Sequence, residues 1–259
     1  MKAMWSGSIS FGLVNIPVKL FSGSQSNTLD LDMLRKSDLC PIKYLRVCKT
    51  DNKEVPYQEI VKGYEYTDGE YIVLTDQDFQ SASLEKTHLI DIIDFVEEKE
   101  IDTRYFEKPY YLEPDKSGQK AYALLREALK RSGKVGVANY VLRNRGSLGI
   151  VKPLDDLLIL NEIRYRDEVR DAGELKLPSD EKLREQEVNL ALSLIDQLTV
   201  KFDPGKYMDA YVEDLKRIIE EKAQGRKPAP AGKEPQPTKV ADMMALLKES
   251  LKQKRKEAA

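Results

Sequence analysis

Residues 4–20 (MWSGSISFGLVNIPVKL) constrain the fold most, because their apolar side chains change phase once, at Gly12. Before this glycine the apolar residues occupy odd positions and after it even ones: Ala3, Trp5, Ile9 and Phe11, then Val14, Ile16, Val18 and Leu20. An alternation of period two buries one face of a β-strand, and a phase change at a glycine is typical of a tight turn or a bulge. The pattern predicts two short strands of the kind that form a β-barrel wall.

The same stretch and three later blocks resemble the hallmarks of one protein family. The later blocks are residues 54–66 (EVPYQEIVKGYEY), 158–170 (LILNEIRYRDEVR) and 240–251 (VADMMALLKESL). They occur in the family's order and span nearly the whole chain, so the combination is far more specific than any single block. On these residues the chain resembles bacterial Ku, the DNA-end-binding family of non-homologous end joining.

This resemblance implies an α+β fold that is mainly β. It consists of a Ku-type β-barrel core, a long bridging loop that forms a ring in the homodimer, and C-terminal helices. We expect the core at residues 1–225, with the bridging segment at about 22–62 and the helical end at about 185–223. A Pro-rich linker at 226–238 and a C-terminal helix with a basic end at 239–259 complete the plan.

The composition fits a globular protein and points away from membranes. A chain of 259 residues can bury a substantial core in one large domain or two modest ones. No apolar run approaches the length of a membrane span, and the start lacks the apolar core of a signal peptide. We therefore expect a cytoplasmic location, in the bacterial nucleoid. In that reducing compartment Cys40 and Cys48 are expected to be free, mostly buried thiols.

The net charge of −2 conceals a strong segregation of charge along the chain. Residues 65–115 carry fifteen acidic and four basic residues, whereas residues 116–153 carry one acidic and nine basic. Such blocks suit a protein that needs one basic surface for DNA and must repel DNA elsewhere. They are also compatible with charges that cancel in three dimensions, so charge alone does not decide.

Local patterns in the first half predict strands and one clear helix. Strands are expected at 55–66 and 71–74 around an Asp68-Gly69 turn, then at 89–96 and 105–112. Thr75 is a candidate helix N-cap with Asp78 three residues on, and Pro109 suggests an edge or the end of its strand. The helix at 117–132 has the apolar stripe Ala121, Leu124, Leu125, Ala128 and Leu129, and Gly133 ends it.

The second half predicts a meander followed by helices. The meander strands fall at 135–143, 148–152 and 157–165, and the helices at 185–198 and 207–223. In the Ku family, dimerisation uses the central and later parts of the core. The strand at 157–165 is therefore a candidate for pairing across the dimer, and an internal barrel strand is an equally good interpretation.

A search for catalytic or metal-binding residues gives no credible enzyme. His88 is the only histidine and has no nucleophile motif beside it, and one histidine with two cysteines does not supply four zinc ligands. Residues 7–12 have P-loop glycine spacing but are followed by Leu13-Val14, without the phosphate-binding lysine. The acidic run at 91–102 fits a solvated face better than a phosphodiesterase site. No metal and no cofactor is expected.

A ring that threads onto a DNA end should contact phosphates and sugars rather than base edges, which calls for lysines and arginines on a scaffold. The bridging segment supplies most of the candidates, and the barrel supplies the rest. The predicted phosphate contacts are Lys19, Arg35, Lys36, Lys43, Arg46, Lys49, Lys53, Arg143, Arg145 and Lys152. About half are expected to face the channel, and the others are ordinary solvated charges.

The C-terminal block carries one apolar stripe at helical spacing on a tether without a core of its own. The stripe consists of Val240, Met243, Met244, Leu247 and Leu251. An amphipathic helix on such an arm docks into a partner's groove or folds back on its own core, and methionine suits an adaptable surface. The resemblance implies that the partner is the ATP-dependent DNA ligase D.

The leading prediction is a non-catalytic homodimeric ring that binds the ends of linear double-stranded DNA and recruits and stimulates DNA ligase D. The alternative from another class is a protein-interaction scaffold, a barrel with a tethered helix and no direct DNA binding. Salt-dependent binding to DNA ends separates the two.

Overall fold

The structure is a computed structural model that describes residues 1–83, 88–142, 145–178 and 184–227. The chain divides into two compact units, Met1–Asp171 and Ala172–Ala259. The predicted linker at 226–238 falls almost wholly outside the described residues, and the predicted helix at 239–259 does so completely. Within the described residues, no helix combines the length and apolarity that crossing a membrane requires.

The opening hairpin has the phase change that the sequence predicts. Strands β1 (Trp5–Phe11) and β2 (Val14–Ser22) pair antiparallel, with Ile9 opposite Ile16. Gly12 turns the chain at φ +60°, a left-handed conformation that glycine adopts without steric cost. Because the turn resets the phase, odd positions before it and even positions after it face the same core, where Ile9, Ile16 and Val18 are fully buried.

Seven strands close into a barrel, which confirms the predicted fold class. Around the barrel the order is β1, β2, β6, β9, β8, β7 and β5. The remaining barrel strands are β5 (Leu89–Glu97), β6 (Phe106–Pro114), β7 (Lys134–Leu142), β8 (Arg145–Leu154) and β9 (Leu157–Ile163). A short parallel pairing of β1 with β5, with Ile9 opposite Ile90, closes the sheet on itself, and full closure leaves no free sheet edge.

The structure decides between the two interpretations of the strand at 157–165. It is the internal barrel strand, because β9 is hydrogen-bonded on both sides, to β6 and to β8 of its own chain. The expectation for Pro109 is wrong. Pro109 lies neither at an edge nor at a strand end but inside β6, opposite Asn161. The register of β6 and β9 shifts between Phe106 and Pro109, and an irregularity there accommodates a residue without an N–H group.

Helix α2 (Gln119–Ser132) packs into the core with part of the predicted stripe, since Leu125 and Leu129 are buried and Ala121 packs against them, but Leu124 and Ala128 are exposed and Tyr122 is buried instead. Its buried residues are Tyr122, Leu125 and Leu129, whereas Leu124 is 68% exposed. The hydroxyl of Tyr122 donates to the Leu112 carbonyl and accepts from the Leu158 amide, both at 2.6 Å. Leu112 and Leu158 are the last pair of the β6–β9 ladder, so the tyrosine continues it. Gly133 ends the helix at φ +65°, as predicted.

The interior of the barrel is polar near the β7–β8 turn. Glu162 accepts hydrogen bonds from the hydroxyl of Tyr110 at 3.1 Å and from that of Ser147 at 3.2 Å. Tyr110 and Ser147 are buried, and Glu162 is partly exposed. These three side chains join β6, β8 and β9 beside the turn that leads into Arg145.

The described residues between β2 and β5, 23–83 and 88, lie outside the barrel strands, and we call them the excursion. They include the hairpin of β3 (Lys62–Thr67) and β4 (Glu70–Leu74), a separate two-stranded sheet that follows the segment predicted as the bridge at about 22–62. The strand predicted from residue 55 starts only at Lys62, after a 3₁₀ turn at Tyr57–Glu59. Gly69 makes the hairpin turn at φ +77°. Helix α1 (Asp76–Ser83) follows.

The predicted cap of α1 is present. The Thr75 hydroxyl accepts from the Asp78 amide at 3.3 Å, and the Asp78 carboxylate accepts from the Thr75 amide at 2.8 Å. This reciprocal pair satisfies two backbone donors at the helix start. The hydrogen bonds lower the pKa of Asp78, with the Thr75 hydroxyl as the largest cause, so the cap stays charged at neutral pH.

The second unit contains the two helices predicted for it, α3 (Glu185–Leu198) and α4 (Ala210–Ala223). Helix α4 begins three residues later than expected, because the Asp209 carboxylate accepts from the Val212 amide at 3.1 Å and caps it there. Helix α3 has no buried residue, and α4 buries only Val212.

Candidate nucleic-acid interface

The first part of the excursion is built from two small turns, each closed by one isolated β-bridge. In the first turn, Leu34 pairs with Pro41, and Leu39 takes the left-handed conformation at φ 56°. In the second turn, Val47 pairs with Glu54, and Asn52 takes the left-handed conformation at φ 56°. These two bridges are the β-pairings of residues 23–61, whose backbone is otherwise irregular apart from the 3₁₀ turn at Tyr57–Glu59.

Two of the predicted phosphate contacts in these turns are paired with carboxylates of the same turn. Arg35 donates to both oxygens of Asp38, at 2.8 and 2.5 Å, and Lys53 lies 3.3 Å from Asp51. The Arg35 hydrogen bonds are the main cause that lowers the pKa of Asp38. Backbone hydrogen bonding from Lys53 is the main cause that lowers the pKa of Asp51. Both acids are therefore ionised at neutral pH and offset the two cations.

The other four excursion candidates have no carboxylate partner among the described residues. Lys36, Lys43, Arg46 and Lys49 are all exposed. Arg46 instead lies over the ring of Tyr57, with its guanidinium carbon 5.1 Å from the ring centroid. No carboxylate of the described residues therefore competes with an anion for these four cations.

The barrel candidates are all paired where the structure describes them. Lys19 lies 3.2 Å from Asp115, Arg145 donates to Glu168 at 2.7 Å, and Lys152 contacts both Glu98 and the Phe106 ring. Arg143 lies outside the described residues, so its pairing with Arg145 on one turn stays a prediction. Of these cations Lys152 is the most enclosed, with 22% of its side chain exposed.

Exposed ion pairs do not prevent a cation from binding phosphate. Such pairs contribute about 0–1 kcal/mol, because water and salt screen them and both side chains must be held. The side chain of Arg145 is 74% exposed, and that of Lys19 is 44% exposed. Phosphate could therefore compete for them, although a cation such as Lys43, which has no carboxylate partner among the described residues, would not have to give one up.

The sequence analysis missed the aromatic residues that accompany the basic ones. Tyr44 is 84% exposed and Tyr57 is 72% exposed, on either side of the second turn. Arg46 separates them in sequence and contacts one of them. The alternation of exposed tyrosine with lysine and arginine in residues 43–57 was the available signal, since this combination is typical of nucleic-acid surfaces.

The residues considered for other chemistry have structural roles. His88 is hydrogen-bonded through Nδ1 to the Ser6 carbonyl at 3.1 Å, and its ring lies against that of Trp5. In the acidic run, Glu100 and Asp102 cap 3₁₀ turns. Among the described residues, no three of the His, Cys, Asp or Glu side chains are grouped to hold a metal ion.

The two cysteines are free but not mostly buried, so that part of the prediction is wrong. Cys40 is exposed and Cys48 is partly exposed, because both lie on the excursion. Backbone amides of Thr50 and Asp51 hydrogen-bond the Cys48 sulfur and lower its pKa.

Similarity to known proteins identifies the family to which this closed barrel with its long exposed excursion belongs. A family model described as "Ku70/Ku80 beta-barrel domain" matches residues 10–190. The chain belongs to the Ku family. Among its relatives, a non-homologous end joining protein Ku of Opitutus terrae is 42% identical over 256 residues, which is 98% of this chain and 92% of the relative.

Two further Ku proteins are similar over nearly the whole chain. The one from Bacillus subtilis is 40% identical and covers 99% of this chain and 83% of its own length. The one from Cupriavidus necator is 42% identical and covers 99% and 79%. The resemblance seen in the sequence blocks is therefore confirmed, and so is the Ku barrel that it implied.

Proposed function

We propose that this chain is a non-catalytic DNA-end-binding protein of non-homologous end joining. It works as a homodimeric ring that holds linear double-stranded DNA without sequence preference and recruits and stimulates the ATP-dependent DNA ligase D. The observation that carries the proposal is membership of the Ku family over nearly the full chain, joined to an excursion that offers cations without carboxylate partners.

Sequence-independent binding follows from the type of contact available. The excursion presents Lys36, Lys43 and Lys49 on the irregular backbone of residues 23–61, a described stretch that contains no α-helix to read base edges. Phosphate contacts are the same for every sequence, and each releases counterions, which makes affinity salt-dependent.

The salt dependence tests this part directly. Replacing Lys36, Lys43 and Lys49 with glutamine should reduce the slope of log K against log[salt] by about 0.9 for each phosphate that the variant no longer binds. A matched triple, Lys116, Lys120 and Lys130 to glutamine at the α2 end of the barrel, removes the same charge. This control variant should retain most of the slope of log K against log[salt]. Equal slopes for the two triples would contradict a specific role for the excursion.

The homodimer is supported by the β3–β4 hairpin. All of its residues are exposed except the last, Leu74, which is partly buried, and its large side chains include Tyr64 at 64%, Tyr71 at 64% and Ile72 at 51%. An isolated two-stranded sheet is marginally stable in water, and exposed apolar area on this scale marks an interaction surface. A second copy of the chain, packed on the hairpin, would complete the ring.

The dimer is tested by sedimentation of the variant Ile72→Glu. A charge on the hairpin should shift the protein from dimer to monomer while the barrel stays folded, as judged by circular dichroism. The matched change Ile93→Glu, at an exposed position of β5, should leave the dimer intact. A dimer that survives Ile72→Glu would place the interface elsewhere.

Ligase recruitment is assigned to the C-terminal stripe on sequence grounds. Replacing Met243 and Leu247 with lysine should abolish stimulation of end joining by ligase D and leave DNA-end binding unchanged. Ala245→Lys, on the opposite side of the predicted helix, is the control. Loss of DNA-end binding in the double variant would mean that the C-terminal stripe contributes to DNA binding rather than to ligase recruitment.

One observation favours the scaffold alternative. Five of the nine described candidate cations already have carboxylate partners, which reduces the positive surface that the sequence suggested: Lys19, Arg35, Lys53, Arg145 and Lys152. A scaffold without a DNA role would show no salt-dependent binding to a linear duplex at all, so the slope experiment also separates these two functions.

A further inference from the structure

The second turn of the excursion carries an arginine stacked on an exposed tyrosine. Arg46 and Tyr57 are brought together by the backbone, since the Val55 amide donates to the Arg46 carbonyl at 2.8 Å. The guanidinium carbon then lies 5.1 Å from the centre of the Tyr57 ring. Tyr57 remains 72% exposed, so one stacked pair presents a planar cation and an open aromatic face to solvent.

A second exposed ring lies close in sequence and is held in place. Tyr44 precedes Arg46 by two residues, and its hydroxyl donates to the Met33 sulfur at 3.3 Å, which ties it to the first turn. Its ring is nevertheless 84% exposed. An exposed tyrosine fixed at its hydroxyl loses little freedom when a flat group stacks on it.

The charges around these rings suit a nucleic-acid strand. Lys43 and Lys49 are exposed and have no carboxylate partner among the described residues, and Arg46 has none either. Proteins that bind single strands combine such cations, which follow the backbone, with aromatic or guanidinium planes on which bases stack.

Unpaired bases suit this surface best, because the internal base pairs of a duplex are covered on both faces and a blunt end exposes one face of its last pair only. We propose that the Arg46–Tyr57 pair, together with Tyr44 two residues before Arg46 in the chain, binds the unpaired nucleotides of a single-stranded overhang at a DNA end. The inference rests on the proposed function, in that the same protein binds the adjoining duplex through phosphate contacts. It adds a separate site for the overhang.

Two DNA substrates with the same duplex sequence test the proposal. One substrate ends blunt and the other continues into a short oligothymidine overhang, and each is titrated with the full-length protein at equal salt. The unaltered protein should bind the overhang end more tightly. Tyr57→Leu keeps an apolar side chain but removes the aromatic plane, and stacking of one base is worth about 5- to 150-fold in affinity. The variant should lose up to that factor on the overhang end only.

Matched variants separate stacking from other roles. Tyr57→Trp should keep the preference for overhangs, and Tyr211→Leu, at a tyrosine 74% exposed on α4, should not change it. Photocrosslinking with 5-iodouracil in the overhang should label the peptide that contains Tyr57 or Tyr44. A contact that only stabilises the turn would give no such crosslink.

Each contrary result has a distinct meaning. Equal binding of both ends by the unaltered protein would overturn the overhang site and leave the proposed function intact. Equal weakening of both ends by Tyr57→Leu, or conversion of that variant to a monomer, would overturn it in favour of a contact with the duplex or with a second copy. Binding to neither end would overturn the proposed function itself.

Discussion

The barrel and the excursion differ in strand pairing and in the burial of their side chains. In the barrel every strand is paired on both sides, and its interior holds fully buried residues such as Ile9, Val18 and Leu160. In the excursion two isolated bridges and one hairpin hold residues 23–74, and no residue there is buried. The comparison teaches that the barrel pairs its strands and buries its apolar side chains within itself, whereas the excursion leaves its cations and aromatic rings exposed.

Matched leucines give the sharpest test of this difference. Leu160→Ala should lower the free energy of unfolding by about 2–5 kcal/mol, because it opens a cavity in a closed core. Leu31→Ala, at a residue of the excursion that is 65% exposed, should change it by no more than about 0.5 kcal/mol. Urea denaturation measures both. Similar losses at the two sites would mean that the excursion shares the barrel's core.

Matched tyrosines probe buried hydrogen bonds. Tyr122→Phe leaves the Leu112 carbonyl and the Leu158 amide without their partner, and should cost about 1–3 kcal/mol of unfolding free energy. Tyr66→Phe, in the hairpin, should cost almost nothing. Hydrogen exchange at the Leu158 amide should accelerate in the first variant. An unchanged exchange rate would contradict the bridging role of this hydroxyl.

Matched glycines probe packing. A methyl group added at Gly149, in β8, would lie 2.7 Å from a Leu160 side-chain atom and 3.0 Å from the Tyr140 ring. Gly149→Ala should therefore cost about 1–3 kcal/mol through overpacking. At Gly63, in β3, the nearest atom would lie at an ordinary 3.5 Å, and Gly63→Ala should be neutral or slightly stabilising. A larger stability loss for Gly63→Ala than for Gly149→Ala would show that the surroundings of β8 accommodate an added methyl group more easily than the hairpin does.

The smallest effect concerns pH. Because the Arg35 hydrogen bonds lower the pKa of Asp38, their stabilisation of the first turn is present above the ordinary aspartate pKa. It is lost as the pH falls through the lowered pKa of the folded protein. Nuclear magnetic resonance titration should find Asp38 below the ordinary range, and Arg35→Gln should return it towards that range. No change in the variant would mean that Arg35 does not hold this carboxylate.

Several elements of the fold could be predicted because the information that specifies them is local. The phase change at Gly12 is carried by period-two burial, and the Thr75–Asp78 cap by two side chains three residues apart. The buried face of α2 was misjudged because apolarity alone favours Leu124 over Tyr122. The tyrosine is buried since its hydroxyl completes a ladder between strands that are distant in sequence.

The candidate interface was less predictable, because pairing between distant charges leaves no local signal. The partners Lys152 and Glu98, or Arg145 and Glu168, meet only after the barrel has closed. The pairs Arg35–Asp38 and Lys53–Asp51 lie within three residues of each other, so their spacing could have indicated them. The same holds for the tyrosine–arginine alternation, whose stacked geometry depends on the second turn.

The most direct test of the central claim compares one duplex as a linear molecule and as a covalently closed circle, at equal length and salt. A ring that loads from ends predicts tight, salt-dependent binding to the linear form and little binding to the circle. Equal binding to both would leave a basic DNA-binding surface and contradict the ring. Binding to neither would contradict DNA binding and favour the scaffold.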